Sequence, residues 1–332
     1  MVNQRSFFAG HPSYFRQEII PVLRIFEDKR KLILQKILKI IFLIALLIIT
    51  VVILLTFQLI SQIAAFILLP VVVVVFAIVY RQLTKQYKMQ FKLQVIKAIV
   101  NFFDSTLQYD PHGRVSKSHF VQSGLFNTSP DRYRGEDRVF GTLGKTRIEF
   151  SEVHAEYQSQ STDSDGATHT SWHTIFKGLF FVADFNKQIN GTTVVLPDVA
   201  ERLFGGVGKF FQNIQKIGRH PELITLEDPV FEKYFVVYGD DQNEARYILT
   251  PNLMERIVSF RQRTGQKLRL SFCGENVYVA IPNDHDMFEA RVFRTLWSKT
   301  LIKSYVDDMA MAIGVVEELN LNRRVWTKGS IH

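Results

Sequence analysis

Carboxylates are the residues of this chain best placed to do chemistry. Glu227, Asp228, Glu232, Asp240, Asp241 and Glu244 crowd one stretch, with Arg246 just beyond it and Asp184 further upstream. Two such groups could act as general acid and base or hold a divalent ion, and an arginine could clamp developing negative charge. On that reading the catalytic candidates are Asp184, Glu227, Asp240, Glu244 and Arg246. Helix caps and turn residues account for the same carboxylates more simply, because short acidic side chains accept hydrogen bonds from free backbone N–H groups. Arg246 beside Glu244 reads as a structural ion pair.

Other constellations are weaker. His154, His169 and His173 with Asp163 and Asp165 suggest a metal site, and His169 and His173 have the i, i+4 spacing of helical ligands. Their surroundings, however, are a polar loop entering a strand, with no HExxH pattern. The sequence GGVGK at Gly205–Lys209 resembles a phosphate loop but fails its test. Leu203 stands where a glycine is needed, and Phe210 where the pattern needs Ser or Thr. No Ser-His-Asp or Cys-His arrangement stands out, and the single cysteine, Cys273, forbids an intramolecular disulfide and suits a reducing compartment. No cofactor is implied.

The element that must position all of these is an apolar run. Ile40–Tyr80 is 41 residues without Asp, Glu, Lys, Arg or His. One membrane-spanning helix uses roughly 20 residues, so the run predicts two spans, Ile40–Phe57 and Ile63–Tyr80, broken at Gln58 and Ser61-Gln62. Pro70 predicts a kink in the second span. The run is too long and starts too late for a signal peptide, and Leu43–Leu55 and Val71–Val75 show no polar face.

The net charge of +8 is concentrated beside this run. Residues 1–39 carry +5, residues 81–107 carry +4, and the remaining 225 residues about −1. The basicity is therefore a juxtamembrane collar and excludes a nucleic-acid-binding face. Arg24, Lys29, Arg30, Lys31, Lys36 and Lys39 precede the run, and Arg81, Lys85 and Lys88 follow it. Cations at both ends predict that the hairpin enters and leaves on the cytoplasmic side, with these nine residues as lipid-headgroup contacts. Both termini would then be cytoplasmic.

Around the hairpin the period of the apolar residues changes twice. Phe15, Ile19, Leu23 and Phe26 predict an amphipathic helix over 14–39, and Leu83, Tyr87, Phe91, Val95, Ala98 and Phe102 a stalk helix that partners it. Asp110-Pro111-His112-Gly113 closes the stalk, and a short helix follows over 116–122. From Arg132 the pattern is that of antiparallel strands, with Gly135, Gly141 and Gly144 at turns and a bulge near Ser151-Glu152. Residues 158–170 read as a polar loop. Thr174–Phe185 reads as a central strand turning at Asn190-Gly191 into Thr193–Leu196. A helix follows Asp198, strands cover 223–226 and 234–238, and helices cover 240–247 and 250–263. A hairpin of 268–272 and 277–281 turns at Gly274-Glu275-Asn276, and a last helix runs over 293–319.

The expected fold class is thus α+β: an N-terminal two-helix transmembrane hairpin followed by a cytosolic domain of mostly antiparallel sheet with flanking helices. Its parts are residues 1–39, the hairpin of 40–80, a basic stalk of 81–109 and the cytosolic domain of 110–332.

Several long segments carry a resemblance. RYRGEDRVFGTLGKTRIEFSEVHAEY from Arg132, IFKGLFFVADFNK, GTTVVLPD, LEDPVFEKYFVVYGDDQNEARYILTPNLMERI and LSFCGENVYVAIP resemble a bacterial membrane-protein family catalogued as domain of unknown function 3137. The resemblance covers Arg132–Ile281 and the hairpin. It implies a two-span protein of the bacterial inner membrane and supplies no catalytic residues. It also implies partnership with another membrane protein, of the LemA type; a homo-oligomer is the alternative expectation. Two functions follow as expectations: a membrane-anchored interaction or scaffold domain, or a membrane-proximal enzyme using the carboxylates above. A channel component would require oligomerisation, because two spans without an ionisable group cannot line a polar path.

Overall fold

The computed structural model describes residues 15–163, 165–166, 168–198 and 222–319. The helix expected after Asp198 and the GGVGK segment lie outside the described residues. The chain divides into two units, Met1–Phe102 with Phe288–Val306, and Phe103–Met287 with Asp307–His332.

In the first unit, helix α1 spans Ile20–Thr56 and helix α2 spans Gln62–Phe91, with five residues between them. The turn falls where the polar side chains cluster. Gln58 adopts φ 56°, the left-handed conformation that ends a helix, and Leu59 N–H reaches back to Leu54 O at 2.8 Å. The Ser61 hydroxyl accepts from Ala64 N–H at 3.2 Å and starts α2. The amphipathic segment and the first span, expected as separate parts, are one continuous helix, because nothing between Lys31 and Ile40 breaks it. Helix α2 runs through Pro70.

Only 11% and 6% of the most apolar stretch of each helix is buried within the protein. A core helix of a soluble protein would be mostly buried. These are two helices long and apolar enough to cross a membrane. Beyond the apolar run the helices do pack: Phe26 meets Tyr87 and Phe91 with ring centroids 6.1 and 5.9 Å apart, and a π-helical turn, Lys92–Ile96, leads into α3 (Lys97–Phe103).

The second unit is built on an antiparallel sheet. Its strands are β1 (Gln108–Asp110), β2 (Arg132–Leu143), β3 (Thr146–Thr162), β4 (Thr168–Pro197), β5 (Glu222–Ile224), β6 (Phe235–Gly239) and β7 (Arg269–Pro282). The order is β1-β2-β3-β4-β6-β5, with β7 also paired to β4. Helix α4 (Lys117–Gln122), capped by Ser116, brings Phe120 onto one face, where it joins Val153, Ala155, Phe180 and Tyr278. Between β5 and β7 lie α5 (Pro229–Glu232), α6 (Gln242–Ile248) and α7 (Pro251–Thr264), the last capped by Thr250 and ended by Gly265 at φ 69°. Ile257 and Phe260 of α7 meet Leu270 and Val279 on the opposite face, with Val315 of the last helix, α8 (Lys299–Glu318).

Coverage of both faces explains one correction. Ile148 and Phe150 face one side and Val153 and Ala155 the other, so the apparent change of phase in β3 needs no bulge at Ser151-Glu152. The register shift in β2 falls between Glu136 and Val139, where buried Asp137 has φ 62° and bonds the Tyr109 hydroxyl. Gly135 and Gly141 lie inside β2 and only Gly144 turns the chain.

The two expected hairpins are also corrected. β4 and β7 are single long strands that pair from Gly178 with Pro282 to Val195 with Leu270, interrupted at 184–192 and at Gly274 (φ 63°). Asn190-Gly191 and Gly274 bend the ribbon where a reversal was expected, since the conformations that close a tight turn also make a bulge. Residues 158–162 and 168–170 form a projecting two-stranded ribbon in place of a loop. The last helix begins at Lys299, six residues later than expected.

Gly178 sits at the end of the β4–β7 pairing, opposite Pro282, with φ 147°, and an added Cβ would lie 2.2 Å from Ile281 O. Backbone atoms cannot move aside as a side chain can. Gly178→Ala is therefore expected to cost about 2 kcal/mol or more in a denaturant titration, mostly by parting β4 from β7.

Candidate functional site

Five of the carboxylates singled out by the sequence, Asp228, Glu232, Asp240, Asp241 and Glu244, are occupied with the backbone. Asp228 accepts from Val230 and Phe231 N–H at 2.9 and 3.0 Å and caps α5. Asp241 accepts from Asn243 and Glu244 N–H at 2.7 and 3.2 Å and caps α6, while Glu232 accepts from Leu226 N–H at 2.9 Å.

Asp240 and Glu244 come together, but on the bend of β4. Glu244 accepts from Asn190 and Gly191 N–H at 2.8 and 2.9 Å, and Asp240 from Thr192 N–H at 2.8 Å. A carboxylate replaces the ladder partner that each amide loses at the bulge. Glu244→Ala should leave two amides unsatisfied and cost about 1–3 kcal/mol, seen first as faster hydrogen exchange at Asn190 and Gly191. Arg246 donates to Thr225 O at 3.4 Å and makes no ion pair with Glu244, while Glu227 is exposed. Asp184 lies apart from these, in a cleft of about 440 Å³ with His119, Arg138 and Arg147.

The histidines do not converge. His169 pairs with Asp163 at 2.8 Å, while His173 bonds the Ser159 hydroxyl at 2.7 Å and stacks on Tyr157. Both lie on β4, where four residues span about 13 Å, too far for one ion. Among the described residues no group of three His, Cys, Asp or Glu side chains could hold a metal.

Of the nine cations expected at lipid headgroups, Arg24, Lys31, Lys36, Lys39, Arg81 and Lys85 are exposed. Lys29 bonds Gln90 at 3.0 Å and Lys88 pairs with Glu289 at 2.9 Å. Arg30 is a correction. It is buried, pairs with Glu27 at 2.8 Å and donates to Val292 O at 2.8 Å, so its charge is used inside the protein.

The group best placed for chemistry is one that the sequence reading passed over. Glu152 is 92% buried, yet it lines a cleft of about 340 Å³ with His112, Arg134, Glu136, His154, Lys177 and Asp286. Register explains the gathering: Glu136 pairs with Glu152, and Arg134, His154 and Lys177 stand opposite one another on three adjacent strands. One Glu152 oxygen accepts from Met287 N–H at 2.9 Å. Burial pushes its carboxyl up to about 7; the Met287 bond opposes this, and the nearby Asp286, Asp137 and Glu136 add to it. The Lys177 ammonium is held above its ordinary range by its bond to Asp286, 3.2 Å away. A carboxylic acid that titrates near neutrality beside a cleft can give or take a proton under physiological conditions. Parity held the clue, because Glu152 follows Ile148 and Phe150 on the same face.

Comparison with known proteins adds the following. No match is found among curated proteins. Among solved structures, the mycobacterial trehalose monomycolate transport factor A, TtfA, is similar with 10% identity and a TM-score of 0.34. The match covers 70% of this chain and 96% of that one, and a likeness so distant carries no functional argument. The family model described as Protein of unknown function (DUF3137) matches residues 174–321, from the centre of β4 past the end of α8. Over that segment, a little under half of its length, the chain is similar to the DUF3137 family.

Proposed function

We propose that this protein is a membrane-anchored interaction domain of the bacterial inner membrane. The hairpin of 40–80 holds it there, both termini lie in the cytoplasm, and the domain of 110–332 engages a partner close to the membrane surface. The observation that carries the reading is the pair of long apolar helices, of whose most apolar stretches only 11% and 6% are buried among the described residues. Exposed Arg24, Lys31, Lys36, Lys39, Arg81 and Lys85 support the orientation, as cationic flanks favour the cytoplasmic side. The partner is another membrane protein, the LemA type being the one the family resemblance suggests, or a second copy. Crosslinking in native membranes, with the adducts identified by mass spectrometry, tests it. Recovery of a defined protein adduct is expected, and its absence argues against the reading. A C-terminal reporter active outside the cytoplasm would overturn the orientation.

A second reading, a membrane-proximal enzyme, is favoured by one observation, the Glu152 carboxyl beside its cleft. It moves the reaction centre from Asp240 and Glu244, which brace the backbone, to Glu152 with Lys177 and His154. Carbon-13 NMR of Glu152 should show a titration near neutrality that shifts when a substrate enters the cleft. A Glu152 resonance indifferent to every candidate tried would count against catalysis.

A further inference from the structure

The segment Phe288–Val306 belongs to the same unit as the two long helices and is fixed to both of them. Glu289 accepts from Lys88 at 2.9 Å and pairs with Lys92 at 3.2 Å on the α2 side. Val292 O accepts from Arg30, and Glu27 accepts from Leu296 N–H at 2.9 Å and from the Thr295 hydroxyl at 3.0 Å on the α1 side. Ala290, Val292 and Leu296 are buried. The residues between them are not. Arg291 and Arg294 are exposed, and Phe293 is 60% exposed despite the rigid anchors on either side.

Phe293 does have one neighbour, and it marks a level. Its ring stacks on Tyr80, centroids 6.3 Å apart and planes 7° from parallel. Tyr80 is the last residue of the uncharged run, and Arg81 follows it. Lys88 lies eight residues beyond Tyr80, about 12 Å along a helix. The segment thus descends from the polar collar to the edge of the apolar surface and returns, with an aromatic ring at its lowest point and an arginine on each side. Aromatic rings at the edge of the hydrocarbon zone and arginines reaching phosphates are the composition that suits the lipid interface.

We propose that Arg291–Arg294 is a lipid-contacting wedge, in which Phe293 and Tyr80 sit together at the boundary of the hydrocarbon core while Arg291 and Arg294 bind phosphate groups. The proposal rests on the hairpin spanning the bilayer, and it adds a third contact from a part of the chain more than 200 residues away. It gives the exposed part of the Phe293 ring an apolar surrounding beyond its stack on Tyr80, and explains why this segment is tied to both helices.

Fluorescence quenching tests the wedge and the hairpin separately. In the full chain, with Trp172, Trp297 and Trp326 replaced by Phe, one tryptophan is introduced as Phe293→Trp or as Val73→Trp in the middle of the second span. Each is reconstituted into phosphatidylcholine–phosphatidylglycerol vesicles carrying bromine either near the carbonyl end or near the methyl end of the chains. Phe293→Trp is expected to lose about half of its emission to bromine near the carbonyl end and much less to bromine near the methyl end. Val73→Trp should show the reverse order. If Val73→Trp is quenched and Phe293→Trp is not, the hairpin stands and the wedge is overturned. If neither is quenched, both fail.

Discussion

Glu27→Ala is expected to release the segment around Thr295-Leu296 from α1 and weaken its docking by about 3–5 kcal/mol, the usual cost of stripping a buried charge of its partner. Glu27 is 98% buried and receives four donors: two from the Arg30 guanidinium, the Thr295 hydroxyl and the Leu296 amide. Without it Arg30 is left buried, with only Val292 O to accept from it. Hydrogen exchange of peptides covering 288–298, measured on the full chain in detergent, should accelerate by about a hundredfold or more, since each 1.4 kcal/mol is a factor of ten. Glu27→Leu combined with Arg30→Met should recover part of the loss, because it removes the stranded charge as well as the pair. Unchanged exchange in Glu27→Ala would refute this account of how the segment is held.

The Glu152→Gln substitution should stabilise the protein, and only at high pH. The carboxyl rises from an ordinary value of 4.5 to about 7 on folding, chiefly because it is buried. Below 4.5 it is protonated in both states and costs nothing. Between 4.5 and 7 the unfolded chain ionises first and stability is lost; above 7 the full penalty remains, about 3 kcal/mol at roughly 1.4 kcal/mol per pKa unit. Gln cannot ionise and keeps an acceptor for Met287 N–H. Urea titrations of the two proteins should therefore agree near pH 4 and diverge above pH 7, with the variant the more stable. Parallel curves at all pH values would mean that Glu152 is solvated as an ordinary surface carboxylate, and would remove the main support for chemistry in its cleft.

How much was legible depended on whether a signal was local. The hairpin was, because a bilayer's thickness is a fixed ruler and the polar break at Gln58–Gln62 is the only one in the run. The helix starts at Ser116, Asp241 and Thr250 were also local, each cap being a contact within three residues. The β-unit was harder. The sequence supplied strands and glycines, but Asn190-Gly191 and Gly274 satisfy the same backbone conformations in a turn as in a bulge, and only the pairing of β4 with β7 on both sides of these bends decides between them. In β3, an apolar change of phase could mean a bulge or two covered faces, and α4 on one side with α7 and α8 on the other settles it.

The sequence by itself determined where charge and apolar surface lie along the chain: two membrane-length helices, a cationic collar and an α+β unit. It also allowed caps and turns as the use of its clustered carboxylates, without saying which, and Asp228 and Asp241 are the two that cap helices within their own turns. Tertiary structure decided what each buried charge meets. Glu27 and Thr295 are 268 positions apart, and Glu152 and Met287 are 135. No window or period along the sequence encodes such meetings. They arise because a buried polar group must find a partner wherever folding brings one, and that is why Arg30 left the lipid-facing set and Glu152 entered the candidate site.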